Sequence, residues 1–159
     1  MDPEAKKSVL RHFSYGLYAV TVAHQGDEHG MTANWVTQAA FEPPMVAVAV
    51  ENESKTLPMI RDARRFAVNV LAKSQRELAG KLGRTSQQAP NKLKGIKTKP
   101  SPGGMPVLAD AYGWVECRLV GTLPAGDHTL ILGEVVDAGV ENPSLEALTL
   151  QEAGFKYSG

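Results

Sequence analysis

Cysteine occurs once in this sequence, at Cys117, which excludes an intramolecular disulfide framework and any multi-cysteine zinc or iron–sulfur centre. Net charge is missing too: 17 basic and 17 acidic residues cancel among 159, so nothing overall names a polyanionic partner. Long apolar runs are absent. The longest, Met45 to Val50, is far short of the roughly 20 residues a membrane helix needs. Met1-Asp2-Pro3-Glu4 is polar and acidic, so no signal peptide is expected and a cytoplasmic location is the expectation. Neither G-x-x-x-x-G-K-[ST] nor G-x-G-x-x-G occurs, which argues against P-loop and Rossmann nucleotide sites. His12, His24, His29 and His128 lack metal-ligand spacing, so no metal site is expected. What remains, 43% apolar and 21% charged residues, suits a globular chain with one domain over residues 1–159.

The zero net charge hides an uneven distribution. Between Glu77 and Asp110 there is no acidic residue, while Lys81, Arg84, Lys92, Lys94, Lys97 and Lys99 are basic. From Glu134 onward the acids Glu134, Asp137, Glu141, Glu146 and Glu152 face only Lys156. A local basic stretch in a neutral chain suggests an anion site rather than a nucleic-acid surface. Single-strand binders also interleave aromatics, and residues 92–99 have none.

Hydrophobic spacing predicts three short helices. The first follows Asp2-Pro3, the second spans Leu57 to Ala63, and the third runs from Ser74 to Leu82 with Glu77 completing a capping box. Alternation predicts strands over Leu17–Ala23, Gly30–Thr37, Phe66–Leu71, Trp114–Leu119 and Thr129–Asp137. Met45–Val50, apolar on both faces, reads as a central strand, and the tail from Leu148 to Tyr157 as a further short strand or two. Residues 83–106 form a long polar loop. The elements do not alternate regularly as β and α, so an antiparallel β-barrel with peripheral helices fits better than a doubly wound sheet. Cys117, between Val115 and Leu119, is expected in the core and not as a nucleophile.

Three constellations bear on chemistry. Gly30-Met31-Thr32-Ala33-Asn34-Trp35-Val36-Thr37-Gln38 is either an ordinary edge strand or a polar lining for a flat ligand. Ser54-Lys55-Thr56 enters a helix, where capping explains both hydroxyls and phosphate binding is the alternative. Gly126-Asp127-His128-Thr129 opens a strand, and His128 is either a turn residue or an acid/base or orienting group.

In order and spacing these segments resemble the flavin reductase-like, FMN-binding split-barrel family. The likeness begins at Gly16-Leu17-Tyr18-Ala19-Val20-Thr21 and continues through the Thr-Ala-Asn segment and Phe41-Glu42-Pro43-Pro44. It extends over Ser54-Lys55-Thr56, Phe66–Leu71, and Gly126-Asp127-His128 to Gly133-Glu134-Val135. Gly154-Phe155-Lys156-Tyr157-Ser158-Gly159 is similar to tails in rubredoxin and diiron flavoprotein systems.

The resemblance implies a mainly β, six-stranded antiparallel split β-barrel of Greek-key type with three short peripheral helices. It implies a homodimer with FMN at the subunit interface. Cofactor contacts would fall on Thr32, Ala33, Asn34, Trp35, Val36 and Thr37 along the ring, and on Ser54, Lys55, Thr56 and Lys92 at the phosphate. His128 would face the nicotinamide of a transient NAD(P)H co-substrate as the catalytic residue. Electrons would pass to free flavin, or to a rubredoxin-type or flavoprotein partner. The alternative is a flavoredoxin-like electron carrier reduced by a partner protein and not by NAD(P)H.

Overall fold

The computed structural model describes residues 1–159. The chain begins with α1 (Pro3–Arg11), β1 (Tyr18–His24), β2 (Asp27–Ala33), β3 (Val36–Phe41), β4 (Pro44–Glu51), α2 (Thr56–Ala63) and β5 (Arg65–Val70). A 3-10 turn at Lys73–Gln75 leads into α3 (Arg76–Leu82). Then come β6 (Thr98–Pro100), β7 (Pro106–Leu108), β8 (Gly113–Ala125), β9 (His128–Val140) and α4 (Leu150–Ala153). No helix is long and apolar enough to cross a membrane.

The architecture is mainly β and antiparallel. Seven strands form one sheet in the order β2-β1-β5-β8-β9-β4-β3, and β6 with β7 forms a separate hairpin. Six strands are expected when Gly30–Thr37 is one extended segment. The chain instead ends β2 at Ala33, turns a corner at Asn34-Trp35 and starts β3 at Val36. These two strands are the opposite edges of the sheet, yet three residues of chain span at most about 11 Å. The sheet therefore has to curl enough to bring the Ala33 end of β2 near the Val36 end of β3, with no ladder between the two strands. Asn34 and Trp35 sit at that open seam.

Turn chemistry sets the registers. Gln25 and Gly26 both have positive φ, 51° and 81°, which is the type I′ geometry that matches strand twist and pairs His24 with Asp27. Gly126 (φ 70°) turns β8 into β9, so that Ala125 pairs with His128. The same register on the other side of β9 sets Glu51 of β4 opposite His128.

Two cores result. Val20, Val22, Val48, Val50, Phe66, Val68, Cys117, Leu119 and Ile131 fill the curled sheet, while Leu17, Ala19, Leu71, Leu82, Leu148 and Leu150 pack beneath α3 and α4. Strand β1 is buried on both faces because it divides these two cores. Strand β4 is not fully buried on both sides as expected: Val48 and Val50 point into the core, but Ala49 on the other face is only partly covered. Cys117 is fully buried as expected, and burial pushes its thiol up to about 12.

Local signals were met with exceptions. Asp2 Oδ1 caps α1, accepting from the Glu4 and Ala5 amides at 2.9 and 3.3 Å. The turn before α3 is closed by Gln75 Oε1 accepting from the Ala72 amide at 2.9 Å, and not by Ser74 with Glu77. The tail contains the helical turn α4 in place of a strand. Thr149 and Glu152 form its capping box, and Gly154 (φ 72°) ends it. Leu150 and Ala153, spaced i and i+3, can then face the second core together.

Candidate functional site

A cleft of about 830 Å³ opens along the seam. Its walls come from β2, the Asn34-Trp35 corner, β4, the entry to α2, the segment after α3, the start of β9 and the tail. Of the residues singled out from the sequence, Thr32, Ala33, Asn34, Trp35, Ser54, Lys55, Thr56, Lys92 and His128 all line it.

Val36 and Thr37 do not. Val36 lies opposite Val48 in the β3–β4 register and packs on the main core, while Thr37 is exposed and donates to the Gln38 carbonyl at 3.0 Å. The cause is the pleat, which alternates side chains across β3 once the chain has left the corner. Thr37 shares the outer face with Ala47, and Trp35 shares it with Ala49.

One group of residues is cationic and polar. Lys92 is 5% exposed, with its Nζ donating to the Leu82 carbonyl at 2.9 Å, and burial lowers its pKa. Its segment can approach β2 because Gly30 has no side chain: a Cβ there would lie 2.9 Å from Leu93 Cδ2. Lys55 forms an exposed ion pair with Asp27 at 3.0 Å. Ser54 Oγ accepts from the Leu57 amide at 3.2 Å, so Ser54 has a capping role in α2. The Thr56 hydroxyl is buried without any partner, and so is Nε1 of Trp35. Buried polar atoms left unpaired cost free energy, so both are places where a ligand acceptor is wanted.

His29 joins this group and was missed as a site residue. It is 2% exposed, and burial, with Lys92 and Lys55 nearby, lowers its pKa to about 4. The available signal was the pleat of β2, which puts His29 on the same strand face as Met31 and Ala33, and both of those also line the cleft. Arg84 to Gln88 also line the cleft.

The second group is aromatic and acidic. His128 Nδ1 lies 2.6 Å from Asp127 Oδ1, and hydrogen bonding to His128 lowers the Asp127 pKa. The His128 ring stands 4.8 Å from that of Trp35, centre to centre. In the sequence Tyr157 stands out only as part of the tail. Its ring is 5.4 Å from Trp35, its carbonyl accepts from Asn34 Nδ2 at 3.1 Å, and its hydroxyl donates to Glu51. Thr32 is already engaged, donating to the Ala79 carbonyl at 2.6 Å.

Comparison with known proteins places this geometry. Residues 10–159 match the family described as the flavin reductase like domain. The chain belongs to that family. Among its relatives is a Moorella thermoacetica protein named high molecular weight rubredoxin, 37% identical over 88% of this chain. Another, from Rhizobium meliloti, is named "Probable flavin reductase" and is 28% identical over 97% of the chain. The chain spans 60% of the first protein's length and 48% of the second's. Among solved structures, a Streptomyces globisporus NADH:FAD oxidoreductase in complex with NAD and FAD fragments superposes with TM-score 0.85. It is 26% identical, over 99% of this chain and 94% of that one. In this flavin reductase-like chain, the seam cleft thus sits on a fold whose solved neighbour was captured with dinucleotide pieces.

Proposed function

We propose that this chain is an FMN-binding, NAD(P)H-dependent flavin oxidoreductase. The observation that carries the reading is the pair of unpartnered buried donors, Thr56 Oγ1 and Trp35 Nε1, lining one cleft with the buried cation Lys92. Thr56, Lys92, Ser54 and Lys55 would hold the phosphate, whose oxygens are the acceptors that Thr56 lacks. Thr32, Ala33, Asn34 and Trp35 would hold the ring, offering the indole N–H to a carbonyl or ring nitrogen. Bound flavin supplies hydride-accepting and electron-passing chemistry that none of these side chains has. His128, anchored by Asp127, would orient reduced nicotinamide; no proton transfer by it is required.

The second reading, an electron carrier reduced by a partner protein, draws on the relative named as a rubredoxin. Anaerobic mixing of the flavin-loaded protein with NADH or NADPH separates the two. Loss of the oxidised-flavin absorbance within seconds supports the oxidoreductase. Reduction by a reduced rubredoxin-type protein alone selects the carrier. A protein that binds no flavin sinks both.

A further inference from the structure

Tyr157 is held in the cleft by four groups of the site and by no core packing. It is 43% exposed, follows the αL residue Gly154, and belongs to no regular element. Its contacts are nonetheless specific. The ring faces Trp35 at 5.4 Å and His128 at 6.5 Å, with the His128 ring nearly edge-on. Its hydroxyl donates to Oε1 of Glu51, and its oxygen lies 3.3 Å from Nε2 of His128. One atom thus satisfies an acceptor and faces a ring nitrogen together.

Glu51 and His128 are directly opposed across the β4–β9 ladder, so strand register and not a mobile loop sets their separation. Asp127 engages Nδ1 of the histidine, which leaves Nε2 toward the cleft. With Nδ1–H donated to Asp127, Nε2 is left as an acceptor beside the Glu51 carboxylate. The two N–H groups of a primary carboxamide on a flat aromatic ring, one toward Glu51 and one toward Nε2, would complete both.

From this juxtaposition we infer that Glu51 and His128 form a carboxamide clamp for the nicotinamide ring, and that Tyr157 is the internal competitor seated in it. The inference rests on the NAD(P)H reading above and adds to it: Glu51 becomes a specificity residue and Tyr157 a negative determinant of affinity. A site that is self-occupied for most of the time weakens apparent binding by the fraction of time it stands open.

The test uses the flavin-loaded protein and NAD+, which binds without reacting, titrated by tryptophan fluorescence quenching. Tyr157→Ala should lower the NAD+ dissociation constant by about threefold or more and lower KM for NADH in step, with kcat nearly unchanged. Tyr157→Phe, which keeps the ring and loses the hydroxyl, should fall between Ala and wild type. Adding Glu51→Ala to Tyr157→Ala should cancel the gain for NAD+. It should leave unchanged the binding of the 3-acetylpyridine analogue, which has the carbonyl but no amide N–H. Unchanged or weaker NAD+ binding by Tyr157→Ala overturns the competitor role. Equal losses for NAD+ and the analogue overturn the clamp. Loss of flavin from Tyr157→Ala, with an unchanged melting temperature, overturns it as well, because the tail would then serve the flavin. A wild-type protein that NADH and NADPH both fail to reduce defeats the underlying reading first, and by a separate measurement.

Discussion

Thr56 carries the residue-scale case for a bound phosphate. Its hydroxyl is fully buried, bonded to nothing, and one position into α2. Replacing it by valine keeps the shape and removes the unpaired group. Thr56→Val should therefore leave the flavin-free protein as stable or slightly more so, and weaken FMN binding by roughly 1–2 kcal/mol. A thermal melt and an FMN fluorescence titration check both halves, and an unchanged FMN affinity would remove Thr56 from the phosphate site. His29 gives a pH signature from the same wall. Folding lowers its pKa from 6.5 to about 4, so between those values the unfolded chain holds the extra proton. Stability should be fully present above pH 6.5 and fall as the pH drops toward 4. The histidine's full contribution is about 3 kcal/mol. His29→Gln should flatten that part of the curve in urea titrations run across this range. An identical slope in the variant would mean that His29 protonates as easily in the folded chain as in the unfolded one.

At the element scale, strand ends and bulges decide what the strands can present. Strand β8 loses simple alternation where its register with β9 shifts at Glu116 and Cys117, so two successive side chains are both fully buried. The buried Glu116 is a consequence. Burial alone would raise its pKa, but hydrogen bonds from Ser101, the Gly103 amide (2.9 Å) and Arg65 outweigh that and hold it low. Those bonds tie the connection between β6 and β7 onto the sheet. Arg65→Met should cost roughly 3–5 kcal/mol in urea denaturation, because it leaves a buried carboxylate without its cation. Glu116→Gln, which keeps most hydrogen bonds and removes the charge, should cost less. Equal costs would show that packing and not charge compensation sets the penalty. The short helices follow a similar logic: α4 forms in a tail read as strand because its capping box and the spacing of Leu150 and Ala153 outweigh short-range β tendencies.

The whole molecule has an outer sheet face that remains apolar. By register, Ala49, Leu130 and Leu123 form one row across β4, β9 and β8, and Ala47, Leu132 and Gly121 the next. Leu123 is 62% exposed, and Ala49 and Trp35, at the head of the first row, line the cleft. We propose this face as the interface of the homodimer that the family resemblance implies, since a second copy seated there would also cover Thr37. Leu132→Lys should convert a dimer to monomer by light scattering and weaken flavin binding at the same time. A dimer that persists, or a monomer that binds flavin equally well, would detach the interface from the site.

The basic stretch, the buried Cys117, the hairpin turns at Gln25-Gly26 and Gly126-Asp127, and most strand positions were decided by the sequence alone. Each depends on residues within a few positions of one another, through side-chain period, backbone φ or capping. Most of the candidate site was legible too, as Thr32 to Trp35, Ser54 to Thr56, Lys92 and His128, although only as separate segments. Tertiary structure decided the rest. The break at Asn34-Trp35 exists because β2 and β3 pair with different neighbours. Val36 and Thr37 leave the cleft because the pleat resumes after that break. Glu51 meets His128 only through the β4–β9 register, and Tyr157 reaches both only after α4 packs on the second core. These are contacts between residues 29 to 106 positions apart, and local propensity carries no information about which strands will become neighbours.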